Sequence, residues 1–137
     1  MSILTTALYD QLANDATLIS MLGEYQGLPC IFTTDPAPGD APLPYIVSAG
    51  EVTQAPWDTK TTRGRVLIRD VRCYASASGS PVVIEAIAER ARALLHRQSL
   101  SINGFAWLIS DVGGPIVADE RDFYGRILSL SVTAQED

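Results

Sequence analysis

An α+β fold is predicted by this sequence: two helices packed on one face of a largely antiparallel β-sheet. Three observations predict the layers. Apolar residues recur at helical spacing in two separate segments, one at the start of the chain and one beyond Pro81. Other stretches carry apolar residues at every second position, as half-buried strands do. Clusters of proline, glycine and serine break the chain at short intervals between them. Two amphipathic helices cannot cover both faces of a sheet this wide. They share one face and leave the other to solvent or to another copy.

Each element follows from its residues. Leu4, Leu8 and Leu12 put a stripe on one helical face, and Asn14 and Asp15 are good N-cap types. Leu18, Ile19 and Leu22 come next, before Gly23, a natural residue just past a helix end. The reading is a helix over about 3–13 that restarts, bent, over about 15–22. "LPCIFTT" is a short strand, ended by "DPAPGDAPLP", whose prolines cannot donate to a ladder. "YIVSAGEV" (45–52) and "RVLIRDVRCYA" (65–75) are the next two strands. In the latter, Val66, Ile68, Val71 and Cys73 do not alternate cleanly, and the slip near Arg69–Asp70 suggests a bulge or partial burial on both faces.

Ser80 is placed to cap the second helix with Pro81 at its first position. Val83, Ile84, Ile87, Ala91, Leu94 and Leu95 form its apolar stripe, with Glu85, Glu89, Arg90 and Arg92 towards solvent. Asn103-Gly104 between alternating apolar residues predicts a type I′ hairpin, because both turn positions need positive φ. Gly113-Gly114-Pro115 reads as a second turn, and "DFYGRILSLSVTA" as the last strand. The core expected from these elements contains Leu8, Leu12, Leu22, Ile68, Ile87, Leu94 and Leu130.

Composition narrows the function classes. Hydrophobic residues make up 47% and charged residues 19%, a globular balance, and the length fits one domain over 1–137. Cys30 and Cys73 lack a CxxC spacing and read as small buried hydrophobes. The N-terminus has no basic segment ahead of an apolar run, so no signal peptide is expected. No apolar run approaches the roughly 20 residues that span a bilayer, and assembly in a cytoplasm without membrane contact is expected. A net charge of −6 argues against a protein that grips nucleic acid through its phosphates. The charge is uneven: residues 1–59 carry seven acidic side chains and no Lys or Arg, whereas 60–137 carry ten basic and nine acidic ones. That asymmetry suits a solvated acidic face, a head-to-tail contact between copies, or a surface that repels phosphate.

Catalytic chemistry is not encoded in any recognisable pattern. His96 ends the second helix, where a histidine commonly interacts with the helix dipole. Nucleophile-elbow, zinc-protease and phosphate-loop patterns do not occur. "ADERDFYG" clusters Asp119, Glu120 and Asp122, but its spacing is not that of a calcium loop and it reads as a solvated turn. No catalytic residue, metal or cofactor is expected, and elimination leaves a binding or assembly protein. The stretch "QAPWDTKTTRG" (54–64) holds the candidate contact residues. It lies between two strands and is longer than a tight turn needs. Trp57 either folds over its own sheet edge or serves as an interface anchor, with Asp58, Lys60 and Arg63 around it.

The segment "ALYDQLANDATLISMLG", with Leu8, Leu12, Asp15, Leu18, Leu22 and Gly23, resembles the opening of the tail-completion, or tail-terminator, family. These are small neck proteins of long-tailed bacteriophages and phage-like gene-transfer agents. The resemblance continues through "APLPYIVSAGEV", "RDVRCYASASGS", "VVIEAIAERARALL" and "DERDFYGRILSLSV", in order and over nearly the whole chain. It implies an α+β subunit that assembles as a ring of six copies at the head-proximal end of the tail tube. Such a ring ends tube growth and offers its other face to the head-tail connector, while DNA passes through without specific binding. The implied location is the tail or neck of a virion or phage-like particle. The alternative is a stand-alone oligomeric α+β module that binds a small effector in a pocket.

Overall fold

The computed structural model describes residues 3–33, 39–48, 51–56, 58, 63–77, 80–98 and 105–136. Its helices are α1 (Ile3–Ala13), α2 (Ala16–Met21) and α3 (Val82–Leu95). The predicted bend between the first two falls at Asp15, whose extended backbone caps α2 while its carboxylate accepts the Leu18 N–H at 2.8 Å. α3 begins one residue later than expected. Pro81, not Ser80, holds the capping position, because the Glu85 N–H donates to the Pro81 carbonyl at 3.0 Å and so starts the helical ladder there.

The strands are β1 (Glu24–Tyr25), β2 (Leu28–Pro29), β3 (Ile31–Phe32), β4 (Tyr45–Val47), β5 (Glu51–Pro56), β6 (Gly64–Ser76), β7 (Phe105–Val117) and β8 (Phe123–Glu136). β1 and β2 form a small antiparallel pair, and the main sheet runs β3-β4-β6-β8-β7 with β5 also on β6. Only β3–β4 is parallel, so the fold is the predicted α+β arrangement on a mostly antiparallel sheet.

Three strand predictions need correction. "YIVSAGEV" is two strands rather than one: β4 pairs with Arg72–Tyr74 of β6, while β5 pairs further along the same side at Arg65–Arg69. β6 has no slip against β8. Leu67, Arg69, Val71, Cys73 and Ala75 all face the helices, and the irregularity lies on β5, between Glu51 and Thr53. The alternation looked broken only because the inward residue at the middle position is an arginine. Finally, Gly113-Gly114-Pro115 is not a turn. β7 continues through it with a bulge, pairing Gly113 with Ser129 and Ile116 with Ile127 of β8. Gly114 takes φ +95°, a conformation strained for any residue with a side chain. The Asn103-Gly104 hairpin prediction lies outside the described residues.

The core lies between the helices and one sheet face, where Ile84, Ile87 and Leu95 of α3 meet Leu128, Leu130 and Val132 of β8, with Leu8, Leu12 and Leu18 alongside. Leu8, Leu12, Leu22, Ile87 and Leu130 are buried as expected. Ile68 is not, because its place in β6 turns it to the other face of the sheet. Leu94 only flanks the core, one position off the stripe that Leu95 completes, and Val83 is half exposed.

Candidate functional site

The face of the sheet away from the helices carries a row of aromatic rings across one end. Tyr25, Phe32, Tyr45, Tyr74 and Phe123 meet edge to face in sequence, with centroids 5.7, 5.8, 5.5 and 5.3 Å apart. They come from β1, β3, β4, β6 and β8, whose registers bring Phe32 beside Val47 and Tyr45 beside Tyr74. The Tyr25 hydroxyl donates to Asp40 at 2.9 Å, and that hydrogen bond raises its pKa. Single-residue reasoning missed this row because its members are far apart in sequence and only the strand pairing assembles them. Further along the same face stand Asp70 and Arg72, 3.8 Å apart, and Ser129 and Ser131 of the central strand β8.

Beneath the sheet, Arg69 is fully buried. Its Nη2 donates to the Thr5 hydroxyl at 2.9 Å and to the Ser48 carbonyl at 3.1 Å, tying the first turn of α1 to the end of β4. A desolvated guanidinium is costly, and such hydrogen bonds offset part of that cost. Trusting the alternation of Leu67, Val71 and Cys73 would have placed Arg69 inward from sequence alone.

β7 is an edge strand, and the chain leaving α3 blunts it. The Arg97 N–H donates to the Ser110 carbonyl at 2.8 Å, the Ser110 hydroxyl donates to the Leu95 carbonyl at 2.7 Å, and the Val112 N–H donates to His96 Nδ1 at 3.0 Å. Through that bond His96, the residue that ends α3, caps the β7 edge. Arg97 also pairs with Asp111 at 2.8 Å, between two exposed side chains.

The acidic turn between β7 and β8 is held by its own charges. Asp119 accepts from the Gly125 N–H at 3.1 Å and from Arg126 at 2.7 Å, and Arg126 lies 3.7 Å from Glu85 at the start of α3. Among the described residues, no group of His, Cys, Asp or Glu could hold a metal ion. Both cysteines are free and buried; burial pushes the Cys73 thiol up to about 12 and raises Cys30, so neither is an activated nucleophile.

Of the residues singled out from sequence, Asp58 and Arg63 are exposed, and the Gly64 N–H donates to Asp58 Oδ1 at 3.3 Å. Trp57 and Lys60 lie outside the described residues. Strands claim more of this stretch than expected. Gln54 to Pro56 belong to β5 and Gly64 opens β6, so what lies between the two strands is 57–63 rather than the whole of 54–64.

Comparison with solved structures finds a similar chain in the virion of a native gene transfer agent particle. It has a TM-score of 0.72 and 21% sequence identity, and the match covers 97% of this chain and 93% of that one. At that identity the likeness concerns the fold. Among proteins of curated function, none matches the chain in sequence. The model of the family described as tail completion protein gp17 matches residues 6–114, from α1 to the bulge in β7. By that match, over most of its length, the chain belongs to the tail completion protein gp17 family.

Proposed function

We propose that this structural tail protein of the virion forms a closed ring, of six copies, on the head-proximal end of the tail tube. There it ends tube polymerisation and offers a joining surface to the head-tail connector. The observation that carries this reading is the family match over residues 6–114. The fold is compatible with it: the described residues leave one sheet face without a helix, and the β7 edge is blunted, which favours side-chain contacts between copies over open-ended strand addition. With a net charge of −6, passing DNA is repelled rather than retained. Trp57 is the anchor proposed for contact with a neighbour or with the tube, with Asp58, Lys60 and Arg63 as its rim.

Two experiments test this. Deleting the gene is expected to leave particles with overlong or unattached tails in electron micrographs; normal tails joined to filled heads would refute the function. Trp57→Ala is expected to leave subunit stability unchanged while weakening assembly or tube capping by about 2 kcal/mol or more. A variant that melts earlier yet still assembles would make Trp57 a packing residue.

A further inference from the structure

At 13 residues β7 is a long strand, and it lies at the rim of the sheet with β8 as its one neighbour. A rim of that length offers its main chain to any incoming strand. In an antiparallel ladder the main-chain groups of alternate residues point away from the neighbour, and Ser110 and Val112 are two such residues. The Ser110 carbonyl is taken by the Arg97 N–H and the Val112 N–H by His96, so the groups a second strand would use are occupied.

Arg97 holds φ at 55°, a conformation few residues with a side chain adopt. Strain of this kind persists where the surroundings fix it, and here the fixing is specific. The Ser110 hydroxyl, 1% exposed, donates to the Leu95 carbonyl at 2.7 Å and accepts the Gln98 N–H at 3.3 Å. The Gln98 amide donates back to the Ala93 carbonyl at 3.0 Å, and Arg97 pairs with Asp111. One buried hydroxyl thus locks the chain leaving α3 onto β7 from both sides of the strained residue.

We propose that residues 96–98 are an autoinhibitory strap, which occupies the β7 edge so that the β7 strand of a second copy cannot pair with it. The contact it forbids is two-fold. Identical edges meeting antiparallel, with the axis at Asp111, would pair Ser110 of each copy with Val112 of the other. The same axis would set the two Asp111 carboxylates opposite each other, a second deterrent. The strap does its work whether or not the subunits go on to close a ring.

Asp111→Cys supplies the reporter. Both native cysteines are buried, and in the forbidden pair the new thiols would face each other at a Cα separation of about 4.5 Å, within reach of a disulfide. In that background Arg97→Pro removes the N–H and cannot hold a positive φ, while His96, already extended at ψ 120°, suits the residue before a proline. Arg97→Gly keeps the N–H and relieves the strain. Oxidative cross-linking of the full chains at matched concentration is read on non-reducing gels, after circular dichroism has checked each fold. Arg97→Pro should form the covalent dimer about tenfold faster than Arg97→Gly, the worth of the two backbone hydrogen bonds gained. Ser110→Ala, which removes the lock and leaves the backbone intact, should also exceed Arg97→Gly, and it decides the matter if the proline chain does not fold. Equal rates in the loosened and glycine chains, or equally fast cross-linking of Asp111→Cys alone, would overturn the strap.

Discussion

Adding one methyl group to Gly125 should reveal how tightly the β7–β8 turn is packed. A Cβ at this position would stand 2.5 Å from the Ala118 carbonyl oxygen and 3.2 Å from Cε1 of Tyr74. The first of these neighbours cannot swing aside. The Ala118 N–H donates to the Gly125 carbonyl at 2.9 Å, and the Gly125 N–H donates to Asp119 at 3.1 Å, so both strands are pinned where the clash falls. Gly113, on the neighbouring strand, is the control. Its nearest contact would be the Ser129 carbonyl at 3.9 Å, an ordinary van der Waals distance, and its φ is not in the left-handed region. Overpacking of this kind costs about 1–3 kcal/mol, so Gly125→Ala should be destabilised by that amount. Gly113→Ala should be neutral or more stable by up to about 1 kcal/mol, since alanine has less backbone freedom to lose on folding. At roughly 4 °C per kcal/mol for a chain of this size, Gly125→Ala should melt about 4–12 °C below wild type. Circular dichroism melts at one fixed protein concentration measure this, because assembly makes Tm concentration-dependent. Equal melting of Gly125→Ala and wild type, or an equal fall in Gly113→Ala, would refute the packing argument.

The neighbouring leucines at the end of α3 should separate in the same assay. Leu95→Ala, emptying a fully buried site, should cost about 2–5 kcal/mol, and Leu94→Ala, at the core's margin, distinctly less; equal losses would contradict the register of α3. Acid should weaken the contact between α2 and α3. The Arg90 guanidinium, 2.6 Å from Asp15, holds that carboxyl below its usual pKa, against the opposing effect of burial and with help from the Leu18 N–H. A lowered folded-state pKa means stability that is fully present above the unfolded value of about 3.9 and lost as pH falls through the folded one. Asp15→Asn keeps a capping side chain but loses the charge, so its deficit against wild type in denaturant midpoints should be present at pH 7 and shrink below about pH 4. A deficit independent of pH would show that the ion pair contributes nothing.

Local chemistry made several features legible in the sequence. The bend at Asp15, the position of α3 and the alternation of β8 depend on neighbouring residues alone: a capping carboxylate, an apolar stripe, a period of two. The inward turn of Arg69 was also written there but masked by its charge, since a buried guanidinium needs partners, Thr5 and the Ser48 carbonyl, that are distant in sequence. Tertiary structure decided the rest. Glycine and proline permit both a turn and a bulge, and it was pairing with β8 on both sides of Gly114 that kept β7 a single strand. Five aromatic residues scattered from Tyr25 to Phe123 became one row only when five strands aligned them. Likewise, the exposed valines that open α3 and close β7 come near one another only in the fold, where core packing of α3 on β8 leaves Glu85 3.7 Å from Arg126, the strand partner of Val117. Periodicity reports the environment of a residue relative to its own backbone, whereas a surface is made by segments whose separation along the chain carries no local signal.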